Sequence, residues 1–277
     1  MYLKKILSAS VLIISANFVF AGEDDNLLID GEAILVRAAV QAHTPELDIL
    51  RSGWTFRKDS TQEIQMDDFD NPAFVFVDQG IDFYNAVDGT AGKSCASCHS
   101  DVEKFAGLRA SMPRVQNGNI TTMEDLVNGC RTERMGADAW KWSSSKMTAV
   151  TALIGLQSRG MPISVKMDGS AAAHWSKGKE LYYTRVGQLD MSCANCHEEN
   201  YGNMIRADHL SQGQINGFPT YRLKNSKLNS IHARFKGCMK NIRATPYKEG
   251  SEEFKALELY LASRANGLSV ETPSVRN

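Results

Sequence analysis

The sequence predicts a mainly α-helical protein made of two related domains, with an N-terminal extension ahead of the first. The segment Gly80-Ile-Asp-Phe-Tyr84 and the cysteine motif after it recur 98 positions later, beginning with Gly178-Lys-Glu-Leu-Tyr182. Such self-similarity indicates an internal duplication. Apolar residues occur at helical spacing before each motif, whereas strand patterns are sparse. Together these observations predict two copies of one helical unit.

The chain begins with the layout of a cleavable signal peptide. Lys4 and Lys5 precede an apolar run over residues 6–20, and Val19 and Ala21 provide the small residues of a cleavage site. An uncleaved membrane anchor is the alternative, but the run is shorter than the roughly 20 residues that a spanning helix needs. We therefore expect residues 1–21 to be removed and the mature protein to be exported.

The mature chain is expected to divide in two. Residues 22–165 would hold the extension and the first domain, and residues 166–277 the second domain, with the boundary in the Gly- and Pro-containing stretch 160–169. Residues 22 to about 75 have no counterpart in the second half, and we expect them to pack on the first domain. Helical spacing predicts helices at 74–84, 124–127, 174–183 and 252–262.

Composition limits the classes of function. Hydrophobic residues make up 43% of the 277 residues and charged residues 23%, which is typical of a folded globular protein. The formal net charge of -1 lacks the basic excess of a nucleic-acid-binding protein. After the signal peptide, no stretch is apolar enough to span a bilayer, so we expect no membrane span in the mature protein.

The chain contains two Cys-x-x-Cys-His motifs. In a helix, cysteines three apart and a histidine four from the first share one face. Two thiols can then add to the two vinyl groups of one haem while the imidazole reaches its iron, and this motif is the attachment signature of haem c. The residues concerned are Cys95, Cys98 and His99 in the first copy and Cys193, Cys196 and His197 in the second.

Two other uses of such cysteines are disfavoured. Zinc pairs its Cys-x-x-Cys knuckles at roughly 15–20 residues, whereas 94 residues separate Cys98 from Cys193. A thioredoxin-type dithiol would need a βαβ context that the sequence does not show. The motifs therefore predict two covalently bound haem c groups in two cytochrome c-like domains.

Each haem iron has a sixth coordination position opposite its histidine. Methionine fills this position in many electron-transfer cytochromes and raises their potential. Most methionines, however, serve as core residues. The candidates by position are Met112, Met135, Met204 and Met239.

The two cysteines outside the motifs compete for this position. Cys130 follows His99 by 31 residues and Cys238 follows His197 by 41. Equivalent positions in a duplicated chain usually serve equivalent roles in separate domains, which favours two thiolate ligands. A disulfide between the two cysteines remains the alternative, because export permits it. A thiolate ligand would stabilise ferric iron and lower the potential.

Arg234 lies four residues before Cys238. On a helix the two side chains would share a face, and the guanidinium would bind an oxyanion of sulfur with two parallel hydrogen bonds. The alternative is a solvated surface arginine.

The two haem motifs, Cys130 and the segment Ala233-Arg-Phe-Lys-Gly-Cys-Met239 resemble the SoxA family. Its members are the dihaem subunits of the SoxAX cytochromes, which initiate thiosulfate oxidation in the periplasm. The resemblance spans residues from about 50 to 265. It implies an L-cysteine S-thiosulfotransferase that joins thiosulfate to a cysteine of a SoxYZ-like carrier protein. The product is a cysteine S-thiosulfonate, and two electrons leave through the haems to a SoxX-like partner subunit and a small acceptor cytochrome c.

The same resemblance implies roles for individual residues. His99 and Cys130 would be the axial ligands of the first haem iron, and His197 and Cys238 those of the second. Cys238 is also implied to be the catalytic residue, present as a cysteine persulfide, and Arg234 to bind the substrate.

Two other functions remain open from the residues alone. A dihaem electron carrier without a catalytic centre needs only the haem motifs, and methionine ligation of both haems would support it. A dihaem peroxidase also pairs two c-type haems in an exported two-domain chain, and would need one haem open to peroxide.

Overall fold

The computed structural model describes residues 27–277, so the predicted signal peptide lies outside the described residues. Nine α-helices form in this part of the chain: α1 (Asp59–Met66), α2 (Phe74–Asn85), α3 (Cys95–Cys98), α4 (Met123–Gly129), α5 (Ser145–Leu156), α6 (Ala172–Tyr183), α7 (Cys193–His197), α8 (Ile231–Asn241) and α9 (Glu252–Arg264). None of these described helices combines the length and the apolarity needed to cross a bilayer.

The β-strands within residues 27–277 are short. They are β1 (Leu27–Ile29), β2 (Glu32–Ile34), β3 (Arg37–Ala38), β4 (Leu50–Arg51), β5 (Arg114–Gln116), β6 (Asn119–Thr121), β7 (Met204–Ile205), β8 (Asp208–His209), β9 (Thr220–Arg222), β10 (Lys227–Asn229) and β11 (Ser274–Arg276). The first eight pair as four antiparallel hairpins. In the three-stranded sheet, β9 lies between antiparallel β10 and parallel β11. The prediction of a mainly helical fold is confirmed.

The duplication is visible in two helix crossings. α2 packs on α5 in the first half and α6 packs on α9 in the second. Each crossing relies on a glycine: a Cβ added to Gly80 would lie 2.6 Å from the carbonyl oxygen of Ala149, and one added to Gly178 would lie 2.0 Å from that of Ala256. The predicted architecture of two related domains is therefore confirmed.

Helix α9 lies at the centre of the largest apolar cluster. Phe254, Leu259 and Tyr260 are fully buried, and the buried residues of the helix occupy nearly all of its faces. Tyr182 of α6 covers one of these faces. A helix that is buried all round needs cover from more than one neighbour, so α9 requires a further layer besides its own domain.

The N-terminal extension provides much of this layer. We expected it to pack on the first domain, and for most of its length this expectation is wrong. Leu47 and Leu50 are buried in the cluster around α9. Gln65 of α1 donates a hydrogen bond of 3.2 Å to Glu271, just after that cluster. The extension packs there because the second domain leaves apolar surface that its own helices do not cover.

The stretch 160–169, predicted as the domain boundary, is an ordered connection. Ile163 and Val165 are buried in the cluster around α9. The backbone N–H of Ile163 donates to the carbonyl of Leu268, and that of Ser164 donates to Ala110, each at 2.8 Å. The segment is thus hydrogen-bonded to both halves of the chain.

A polar cluster is buried between the two halves. Glu124 of α4 and Glu258 of α9 line a cavity of about 20 Å³, and His232 of α8 lies 3.1 Å from Glu258. The N–H of Gly250 donates to Nδ1 of His232 at 3.0 Å, so the histidine carries its proton on Nε2, facing Glu258. Burial and the nearby Glu258 carboxyl raise the pKa of Glu124 to about 7, although His232 opposes them.

We expect Glu124→Gln to stabilise the protein at alkaline pH but not at acidic pH. Because folding raises the pKa of Glu124 from 4.5 to about 7, the stability associated with this carboxyl is full below pH 4.5 and is lost as the pH rises through 7. The neutral amide does not titrate. Urea unfolding should give the variant an advantage of about 1 kcal/mol or more at pH 8 and little at pH 4. Parallel pH profiles for the two proteins would contradict this.

Candidate functional site

Each haem-type motif folds as a short helix capped by its own side chains. α3 follows Ser94, whose hydroxyl accepts from the N–H of Ser97 (3.1 Å), while the Ser97 hydroxyl accepts from the N–H of Ser94 (2.9 Å). α7 follows Ser192, which exchanges the same pair of bonds with Asn195 (3.4 and 2.8 Å). These capping boxes satisfy N–H groups that a helix start leaves free, so the local sequence fixes each motif as a helical turn.

The two cysteines outside the motifs lie at equivalent places. α4 begins after the capping residue Thr122 and runs into a π-helical turn, Cys130–Met135. α8 begins after the capping residue Ser230 and carries Cys238. In each copy the cysteine follows the cap by eight residues. The duplicated sequence therefore presents both cysteines from the same helical position.

Backbone hydrogen bonds bring each of these helices to its motif. The N–H of Ala91, in the loop before α3, donates to the carbonyl of Met135 at 3.0 Å. In the second copy the N–H of Leu189, before α7, donates to the carbonyl of Ile242 at 3.3 Å. The loop before each motif is thereby held to the end of the segment that carries the lone cysteine.

A cavity of about 610 Å³ separates the first motif from the first lone cysteine. Such a volume lies within the range of pockets that hold large organic ligands. Two thiols, an imidazole and a further sulfur face one apolar space walled by α4 and α5, and this donor set fits a haem bound through its vinyl groups. The residues of the motif and the sulfurs opposite it are Cys95, Cys98, His99, Cys130 and Met135.

In the second site, His197 lies beside Cys238. The imidazole is within hydrogen-bonding reach of the thiol, and its Nδ1 lies 2.7 Å from the carbonyl oxygen of Ser211. Because a carbonyl only accepts, Nδ1 carries the proton and Nε2 keeps its lone pair for a metal. Gly213, at φ +76°, packs on the ring, where an added Cβ would lie 3.0 Å from its Cγ. The donors of this site would also fit a haem iron held by His197 and Cys238.

The charges around Cys238 favour its thiolate. Burial acts to raise the pKa of the thiol, but Arg234, His197 and Arg222 outweigh burial and lower the pKa to about 7. In the first site, burial raises the pKa of Cys130 above its ordinary value. Since the thiolate is the nucleophilic form of cysteine, the second site is the better suited of the two to sulfur chemistry.

The structure groups the predicted site residues into two sets. One set surrounds the cavity of the first domain, and the other lies around α7 and α8 in the second. Among the described residues the six cysteines are all free, and Cys130 and Cys238 lie in different sets. The second set consists of Cys193, Cys196, His197, Arg234 and Cys238.

The methionine candidates differ in their positions. Met135 lines the cavity of the first site together with Cys130. Met112 is 1% exposed within a core cluster. Met204 is 52% exposed on β7, and Met239 packs against the cluster around α9. Of the four candidates, Met135 is therefore the one that lines the cavity of a motif, where Met123 also lies.

Sequence reasoning missed two features of the second site. The capping box of α7 is readable in the residues Ser192 and Asn195, three positions apart, but we did not use this signal. Arg222 of β9 lies close enough to Cys238 to lower the pKa of its thiol and close enough to Arg234 to be repelled by it. No local pattern marks Arg222, because only the pairing of β9 with its neighbours brings it to the site.

The fold and the geometry of its motifs define a c-type cytochrome, a class that binds haem c covalently through such cysteines. A family model described as "SoxA/TsdA, cytochrome c domain" matches residues 79–163 and 177–270. The chain belongs to the SoxA family.

Relatives and a solved structure are similar over nearly the whole chain. The L-cysteine S-thiosulfotransferase subunit SoxA of Paracoccus pantotrophus is 57% identical over 261 residues, which cover 92% of this chain and 90% of that protein. The subunit of the same name from Rhodovulum sulfidophilum is 53% identical, with 98% of each chain covered. A chain in the crystal structure of SoxXA from P. pantotrophus matches with a TM-score of 0.89 and 57% identity, over 92% of this chain and 99% of that one.

Proposed function

We propose that this protein is the SoxA-type subunit of an L-cysteine S-thiosulfotransferase, a sulfur transferase that conjugates thiosulfate to a cysteine of a carrier protein. The terminal sulfur of thiosulfate forms a bond to the sulfur of the carrier thiolate. No bond between heavy atoms breaks, and two electrons leave. The product is a cysteine S-thiosulfonate. The observation that carries the proposal is the position of Cys238, beside His197 and on the same helix as Arg234.

The side chains of the second site have distinct proposed roles. Cys238 is the catalytic residue, and its sulfur, carried as a cysteine persulfide, contacts the incoming thiosulfate. Arg234 binds the oxygen atoms of the substrate, because a guanidinium matches two such oxygens at once. His197 is oriented by its hydrogen bond to Ser211. When bound, the haem supplies an acceptor for one electron at a time, so a second acceptor is required.

We propose that two haem c groups are bound. Both motifs are complete, both are capped in the same way, and each lies beside a lone cysteine. Cys95 and Cys98 would hold the first haem covalently, and Cys193 and Cys196 the second. His99 and Cys130 would hold the first iron, and His197 and Cys238 would hold the second.

The partners and the location follow from the same family. Similarity to the SoxXA structure supports a SoxX-like subunit as the heterodimer partner that receives the electrons. A SoxYZ-like protein is the proposed carrier substrate, and a small cytochrome c is the final acceptor. We propose that the protein acts in the periplasm after loss of residues 1–21, and that its two haem domains lie within residues 22–165 and 166–277.

The proposal is tested by mixing the haem-loaded heterodimer with thiosulfate, oxidised cytochrome c and a carrier protein that has one accessible cysteine. We expect the carrier to gain the mass of one thiosulfate and the cytochrome to take up two electrons for each adduct. Electron transfer without an adduct would indicate an electron carrier. Turnover of hydrogen peroxide with reduced cytochrome, and no adduct, would indicate a peroxidase.

A further inference from the structure

A row of three cationic side chains crosses the sheet next to the second site. In the register of the strands, Arg222 of β9 lies opposite Lys227 of β10 on one side and opposite Arg276 of β11 on the other. Side chains at opposed positions share a face, with their Cβ atoms about 5 Å apart, and like charges so placed are destabilising. Tyr221, on the other face of β9, packs against Phe76 of the first domain. The cationic row therefore faces away from the first domain.

Only part of this positive charge is neutralised within residues 27–277. Arg276 pairs with Glu271 at 2.6 Å. Arg57, 8% exposed and repelled by its arginine neighbours, pairs with Asp208. No carboxylate of the described residues forms an ion pair with Arg222 or with Arg234, although both are half-buried.

Without a carboxylate partner in the described part of the chain, Arg222 lowers the stability of the folded protein. Burial, followed by repulsion from Arg234, lowers the pKa of Arg222 to about 10. A half-buried guanidinium that repels its neighbours lowers the stability of the folded protein unless an anion binds there. The thiolate of Cys238 interacts favourably with Arg222, but it is a single charge shared with Arg234 and His197.

The first copy of the repeat serves as an internal comparison. Each copy has a β-hairpin followed by a capped helix that leads to the lone cysteine. The third residue of the first strand is Gln116 in β5 but Arg222 in β9. The fourth residue of the helix is Leu126 in α4 but Arg234 in α8. At these two positions the positive charges occur only in the copy whose cysteine is proposed to be catalytic, whereas the arginines that line the first cavity, Arg114 and Arg134, come from other positions.

We propose that Arg222 is a second substrate-binding residue, which together with Arg234 forms a two-arginine cradle for the thiosulfate dianion beside Cys238. This inference rests on the proposed function. The negative charge of thiosulfate is concentrated on its oxygen atoms and its terminal sulfur. Two guanidinium groups that hold the oxygens leave the terminal sulfur directed at the cysteine. Arg57 and Arg276 are each already paired with a carboxylate, so Arg222 and Arg234, unpaired within the described chain, are the arginines left to bind the substrate. The cradle adds no covalent step to the reaction.

The test is Arg222→Gln in the haem-loaded heterodimer. We expect the KM for thiosulfate to rise about tenfold to a hundredfold, because charge-assisted hydrogen bonds to the substrate are lost, while kcat changes less than about threefold. Arg222→Lys keeps the charge but loses the planar fork, so its KM should lie between those of the two proteins. Lys224→Gln removes one positive charge from an exposed position of the same hairpin and should leave KM within about twofold.

Equilibrium binding of an unreactive anion tests the two-arginine cradle independently of catalysis. Inorganic sulfate, an unreactive dianion, should bind the Arg222→Gln protein about tenfold or more weakly than the wild type, as measured by calorimetry. An unchanged sulfate affinity and an unchanged KM in a correctly folded variant would overturn the inference. If the wild-type heterodimer binds sulfate through Arg222 but forms no adduct with the carrier, the proposed function fails and the anion site stands.

Discussion

Replacing Cys238 by alanine is expected to reduce formation of the carrier adduct at least about a thousandfold. The variant loses the sulfur that the charges of Arg234, His197 and Arg222 stabilise as a thiolate. No other thiol of the second site can take its place, because Cys193 and Cys196 are the proposed attachment points of the haem. The initial rate of adduct formation on the carrier protein, measured by mass spectrometry at saturating thiosulfate, reports the loss.

Two further variants separate the catalytic role of this sulfur from its role as a ligand. In Cys238→Met a thioether remains available to the iron, but no thiolate is present, so the activity should be as low as in the alanine variant while the haem content is normal. Lys240→Ala alters an exposed residue of the same helix and should keep wild-type activity. A methionine variant with substantial activity would show that Cys238 serves only as a ligand.

The sequence predicts those parts of the protein that depend on neighbours along the chain. The motif helices α3 and α7 are fixed by residues within six positions, including the caps Ser94 and Ser192. The repeat predicts that Cys130 and Cys238 occupy equivalent places, and in the structure both follow a capped helix start at the same distance. Such local structures form as the sequence predicts, because they depend only on neighbouring residues.

The sequence does not predict the contacts that depend on distant segments. α9 is buried on nearly all faces, and part of this burial comes from the extension, which packs on the second domain. The periodicity of residues 47–50 does not reveal this contact. Arg222 lies in a sheet whose parallel strand β11 comes more than fifty positions later in the chain. Register between short strands has no local signature when the strands are only three residues long. Arg222 is therefore the residue of the second site that the sequence predicts least well.

The second large effect is expected at the crossing of α6 and α9. In Gly178→Ala the added Cβ would lie 2.0 Å from the carbonyl oxygen of Ala256, 2.7 Å from its carbonyl carbon and 2.8 Å from Cβ of Tyr260. Two of these atoms belong to backbone, so a helix must shift rather than a side chain. Overpacking of this kind costs about 1–3 kcal/mol or more, which exceeds the gain of about 0.5–1 kcal/mol that alanine brings over glycine within a helix. We expect the free energy of unfolding to fall by at least about 2 kcal/mol.

A matched variant tests whether the crossing or the helix itself is responsible. Gly237 lies within α8, and an added Cβ there would meet nothing within 4 Å. Gly237→Ala should therefore raise the free energy of unfolding by about 0.5–1 kcal/mol. Gly80→Ala, where the nearest atom is 2.6 Å away, should destabilise less than Gly178→Ala. Only close contact with the backbone of the facing helix makes the three positions unequal. If urea unfolding of the haem-loaded protein shows the same change in free energy of unfolding for all three variants, the helices do not cross as closely as the structure places them.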